Sequence, residues 1–180
     1  DDFRGGRTDL GECPQRGNND LLCLTRPDVI LDIHRRYVAA GADIVTSNTF
    51  NAQRVSLSEY GCQHLVREIN AAAARLARES GATFVAGSVG PTGKMLSMSP
   101  VVDDPARRAI TFDQLASAYV EQMEALIEGG VDALLIETCF DTLNAKAALW
   151  AAEEAMEHTG CRVELMLSAT LNDKAGHTLS

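Results

Sequence analysis

The apolar run at positions 131–136 of "GVDALLIETCF" ends abruptly in a carboxylate, Glu137, and a hydroxyl, Thr138. The same layout stands 89 residues earlier in "GADIVTSNTF", where Gly41 matches Gly130, Asp43 matches Asp132, Asn48 matches Glu137 and Thr49 matches Thr138. A carboxylate in such a place can pair with an ammonium group. An amide and two hydroxyls can hydrogen-bond a carboxylate or fix neighbouring loops. Glu137, Asn48, Thr49 and Thr138 together therefore suit a small amino acid. Each also fits a plainer role: Glu137 as the first solvated residue past a buried strand or as a cap of the helix starting near Thr142, and Asn48 as the start of a turn.

Other candidate chemistry is weaker. "GSVGPTGK" has the look of a phosphate loop, but five residues separate Gly87 from Gly93 and Met95 follows Lys94, whereas a Walker A loop needs four residues and then Ser or Thr. These glycines suit tight backbone passage at the mouth of a pocket. His34, His64, His158 and His177 have no histidine partner at i, i+4 and suit solvated or core-edge roles. Cys139, two residues past Glu137, fits a half-buried thiol better than a nucleophile, and Met95 and Met98 fit padding of a loop.

The elements that must position these residues alternate. "TRPDVILDIHRRYVAAG" predicts a helix capped by Thr25 with Pro27 in its first turn, an apolar face of Val29, Ile30, Ile33, Tyr37 and Val38, and Gly41 as its stop. The strand "ADIVTSNTF" follows, then helical material over 52–80 divided by Gly61, then the strand "TFVAGSVG". A stretch of about twenty residues with three prolines comes next, long enough to suggest a functional loop. Thr111 and Gln114 form a capping box for a helix with Leu115, Tyr119, Met123 and Leu126 on one face; Asp141 or Thr142 caps another, and "VELMLSATL" supplies a fourth strand.

Helices alternating with strands that are apolar on both faces imply an α/β fold with a parallel sheet. The Gly-x-Asp strand signature, repeated two βα units apart, favours a (β/α)8 TIM barrel over an open doubly wound sheet. A full barrel takes about 250 residues, so 1–180 reads as one partial barrel domain of about four βα units: an irregular segment over 1–24 and βα units over 25–180.

A net charge of −9 without an acidic tail argues against nucleic acid or anionic membrane as partners. No apolar run reaches the length of a membrane span and the first twenty residues lack a signal-peptide core, which predicts a cytoplasmic protein. Five cysteines without CxxC spacing let neither a disulfide framework nor a zinc site be read from them alone, and reduced thiols are the expected state.

"DDFRG", "GNNDLLCLTRPDVILDIHRRYVAAGADIVTSNTFNA", "VAGSVGPTGK" and "IETCFDTLNAKAAL", in that order, closely resemble the homocysteine-binding domain of cobalamin-dependent methionine synthases, a branch of the homocysteine S-methyltransferases. The resemblance runs over essentially the whole chain. Betaine- and S-methylmethionine-type homocysteine methyltransferases are less similar in "GNNDLL" and "FDTLNAK". What it implies is methyl transfer on a (β/α)8 barrel: Zn2+ held by three cysteines binds the homocysteine sulfur as thiolate, which takes the methyl group of methylcobalamin carried on another domain. The expected partners are therefore homocysteine and the cobalamin- and folate-binding domains of a longer chain. Glu137 matches the glutamate that holds the substrate ammonium, and Asn48 and Thr49 fall near the amino-acid end.

Departures from the family pattern carry equal weight. The opening Asp-Gly-x-Met-Gly-Thr motif and the zinc cysteines, including a Gly-Gly-Cys-Cys stretch, have no counterpart among these residues. The expectation is thus a fragment inactive by itself, without catalytic residues of its own, whose open edges favour self-association or completion by further sequence. A non-catalytic amino-acid-binding or assembly module is the alternative.

Overall fold

The computed structural model describes residues 3–178. Its four strands, β1 (Ile44–Thr46), β2 (Phe84–Val89), β3 (Ala133–Cys139) and β4 (Glu164–Ala169), form one sheet in the order β1-β2-β3-β4, all parallel. Parallel neighbours in chain order need a crossover each time, and right-handed crossovers put every connecting helix on the same face. A doubly wound sheet would reverse its order at a switch point. This one does not.

Among the described residues six helices accompany the strands: α1 (Leu22–Thr25), α2 (Pro27–Ala39), α3 (Arg54–Leu57), α4 (Val66–Glu79), α5 (Phe112–Glu128) and α6 (Thr142–Thr159), with 3-10 turns at Ser58–Tyr60 and Gln63–Leu65. The Thr111/Gln114 capping box opens α5 as its sequence predicts. The start of α2 differs from expectation. Arg26 holds the N-cap position without a side-chain cap, while the Thr25 hydroxyl turns back to Leu21 O across the last turn of α1. Among the described residues no helix is long and apolar enough to cross a membrane.

A Cβ at Gly87 would lie 3.0 Å from Leu126 Cδ1 of α5, so Gly87 faces the helices. Alternation then puts Val85 and Val89 on the same side and Phe84, Ala86 and Ser88 on the other. The register carries this across the sheet: Val45, Leu134 and Ile136 face the helices, and Ile44, Thr46, Leu135 and Met166 face away. The core lies on the helix side, where these residues pack against Leu115, Tyr119, Met123 and Leu126 of α5 and a run of alanines on α6. Alanines at 147, 148, 151, 152 and 155 let α6 approach α5 closely. The opposite face is only partly covered: Ala86 and Ser88 in its middle are buried, but Ile44 is 48% and Phe84 51% exposed.

The repeat has a structural meaning. By sequence Ile44 corresponds to Ala133, but the residue level with Ala133 across β2 is Thr46, because Thr46 pairs with Ala86 and Ala86 with Ala133. Equivalent positions thus slip two residues over two strands, about one per strand, which is the shear that closes eight strands into a TIM barrel.

Candidate functional site

The carboxyl ends of β1, β2 and β3 form a rim, and a hydroxyl network joins them. Ser47 and Thr49, just past β1, and Ser88 of β2 are buried. The Ser88 backbone N–H donates to Ser47 Oγ (3.0 Å), and the Thr49 hydroxyl donates to Ser88 O (2.7 Å). Ser47 Oγ and Thr49 Oγ1 lie 2.7 Å apart; since Thr49 spends its proton on Ser88, Ser47 is the donor between them. Gln122, reaching up from α5, donates to Thr49 O (2.8 Å) and to Ser88 O (3.4 Å).

From this fixed point the Ser88 side chain donates to Glu137 Oε1 at 2.6 Å. Glu137 is half-buried. Among the described residues Ser88 is its one hydrogen-bond partner, and no Lys, Arg or His pairs with it. The backbone that carries it is irregular: Ile136 pairs with Leu167 and Cys139 with Ala169, so Glu137 and Thr138 together oppose a single residue of β4. That is a β-bulge, and Thr138 sits in it at φ +59°. A β-branched residue there costs of order 1–3 kcal/mol, strain that clusters at ligand sites where a bulge re-aims a side chain.

The four residues expected at the site thus have different surroundings. Thr49 is fully buried and its hydroxyl is engaged within the protein, so it supports the rim from beneath. Asn48 turns away from Glu137: its Nδ2 donates to Asn19 O (2.8 Å) and lies 3.5 Å from Cys23 Sγ, holding the N-terminal segment to the rim. Asn48 borders a groove of about 380 Å³ between α2 and the open edge of β1, lined also by His34, Tyr37 and Ile44. Ile33 and Tyr37, expected on the apolar face of α2, line this groove and are exposed. Glu137 borders a different crevice, with Val89, Gly90, Ile136 and Phe140, whose volume of about 10 Å³ admits no more than a water molecule.

The long loop over 90–110 is tied to the same rim. Asp141 caps α6 through Leu143 N and Asn144 N and also accepts from Ser97 N (3.0 Å) and the Ser97 hydroxyl (2.7 Å). Burial opposes the Asp141 charge, and these hydrogen bonds outweigh it, holding the carboxyl below its usual range. Asn144 accepts from Leu96 N and donates to Lys94 O. Asp20 anchors the N-terminal segment by accepting from Asn51 N (3.0 Å).

Ser47, Ser88 and Gln122 were not singled out by sequence. The available signal was a pair of hydroxyls interrupting apolar strands. Their partners depend on cross-strand register, which periodicity does not give.

Over residues 4–180 the chain matches the family model described as homocysteine S-methyltransferase. The chain belongs to the homocysteine S-methyltransferase family. Solved structures of the homocysteine methyltransferase MmuM from Escherichia coli share its fold. The oxidized form superposes with a TM-score of 0.68 at 20% identity, covering 88% of this chain and 56% of that one. The metallated form gives 0.66 at 22% identity, covering 88% and 58%, and the apo form 0.61 at 22%, covering 91% and 59%. This member of the family therefore spans a little over half the length of those structures, as a partial TIM barrel does.

The metal expected of the family does not fit the residues here. Among the described residues no three His, Cys, Asp or Glu side chains converge to hold an ion. The cysteines are dispersed between surface and interior, and burial pushes the thiol of Cys23 up to about 12 and raises those of Cys62 and Cys139. None of these three is poised as a thiolate ligand.

Proposed function

We propose that this chain is the amine-binding part of a homocysteine S-methyltransferase barrel, with Glu137 gripping the ammonium group of homocysteine. The observation that carries this reading is a half-buried carboxylate on a bulged strand end, oriented by Ser88 and without a cation of its own among the described residues. Glu137 Oε2 then meets the ammonium, and the Thr138 hydroxyl beside it serves the substrate's polar end. Thr49 acts at the same end through Ser88, and Asn48 contributes by holding the N-terminal segment to the rim. Zinc, which would supply the substrate thiolate, is held in this reading by cysteines outside the chain. The chain alone is inactive.

The methyl donor in this reading is methylcobalamin on another domain, as in methionine synthases, alongside a folate-binding domain. Support comes from "GNNDLL" and "FDTLNAK", the stretches where other homocysteine methyltransferases differ. In this protein they supply Asp20, which anchors the N-terminal segment, and Asp141 and Asn144, which staple the long loop. In the complete enzyme Glu137→Gln is expected to weaken homocysteine binding measured by calorimetry while zinc content stays the same. Unchanged affinity would remove Glu137 from the site.

A further inference from the structure

We propose that Ser88 is a positioning residue for the substrate amine: its hydroxyl fixes one oxygen of Glu137 so that the other is presented to the ammonium group. This rests on the assignment of Glu137 to the ammonium. Ser88 is 3% exposed, and its backbone is held on both sides, the N–H by Ser47 and the carbonyl by Thr49 and Gln122. Its Cβ therefore cannot wander. An ionised carboxylate only accepts, so the Ser88 proton must point to Glu137 Oε1, at the 2.6 Å typical of a charge-assisted bond.

Two consequences follow from that one proton. Glu137 lies in the bulge, where strand pairing with β4 does not hold its backbone in regular register, so the Ser88 bond restricts its rotamers before substrate arrives. Once its proton is committed, Ser88 Oγ shows only lone pairs to the space beside Glu137. An ammonium group with three donors meets acceptors there and no competing donor from Ser88. The network of Ser47, Thr49, Ser88 and Gln122 thereby links the Asn48–Thr49 copy of the repeat to the Glu137–Thr138 copy, through the strand between them.

The test is a double-mutant cycle in the complete zinc-loaded enzyme, using Ser88→Ala, Glu137→Gln and the pair, with KM and kcat for L-homocysteine measured separately. Losing a hydrogen bond to a charged group predicts a KM about tenfold higher for Ser88→Ala with kcat within about twofold. Because Ser88 acts through Glu137, Ser88→Ala adds nothing in the Glu137→Gln background, and Ser88→Thr, which keeps the hydroxyl, restores KM. Additive effects, or an equal fall in kcat, would overturn the role of Ser88. If Glu137→Gln raises KM and Ser88→Ala does not, Ser88 is eliminated and Glu137 stands; if neither does, the Glu137 assignment fails and takes this one with it. The cycle decides even if Ser88→Thr does not fold.

Discussion

Glu137 and Asp20 are two carboxylates at the same rim, given very different surroundings. Glu137 receives a hydroxyl and keeps part of its surface open to a ligand. Asp20 is 4% exposed, and although it accepts from the Asn51 backbone N–H, burial dominates and pushes its carboxyl up to about 6. A folded-state value above the unfolded one means that stability is full below about 4 and is lost as pH rises through about 6. The shift corresponds to about 3 kcal/mol. Urea melts should therefore show wild-type stability falling relative to Asp20→Asn by about that amount between pH 4 and pH 7; parallel curves would mean that Asp20 is solvated. Glu137 was legible in the sequence because a charge directly after the four apolar residues Ala133, Leu134, Leu135 and Ile136 is conspicuous. Ser88 was not, since a serine in a buried strand looks like any small residue until the register sets Glu137 beside it.

At the scale of elements, the site depends on how closely the ends of β1 and β2 approach. Gly90 N donates to Phe50 O (3.1 Å), and a Cβ at Gly90 would lie 2.5 Å from that oxygen and 2.9 Å from the Phe50 ring. Backbone cannot yield cheaply, so Gly90→Ala should cost about 1–3 kcal/mol in chemical denaturation. A neutral substitution would show that the rim is looser than its hydrogen bonds suggest. The sequence pointed to glycines at a pocket mouth, and this holds for Gly90, whereas a Cβ at Gly93 would meet only Glu59 at an ordinary 3.9 Å. Helices α5 and α6 were legible because their caps and apolar faces are local features. The bulge in β3 was not. It arises from pairing with β4, and nothing in "IETCF" itself marks Thr138 for a positive φ.

For the molecule as a whole, strand order and slip of register describe part of a closed barrel, while Ile44, Phe84, Met166 and Leu167 stand exposed. Expressed as these 180 residues, the protein should self-associate on sedimentation and bind a dye specific for apolar surface, and addition of the remaining barrel sequence should abolish both. A soluble monomer that ignores the dye would contradict this. The fold class was legible from alternation and the 89-residue repeat, whereas the separation of Asn48 from Glu137 into different cavities needed coordinates. The central claim is that Glu137 recognises the substrate ammonium. It is tested most directly by calorimetry on the complete zinc-loaded enzyme, comparing L-homocysteine with 4-mercaptobutanoate, which lacks the amine. Glu137→Gln should weaken binding of L-homocysteine by about tenfold or more and leave 4-mercaptobutanoate unchanged; an equal effect on both, or none on either, would contradict the account.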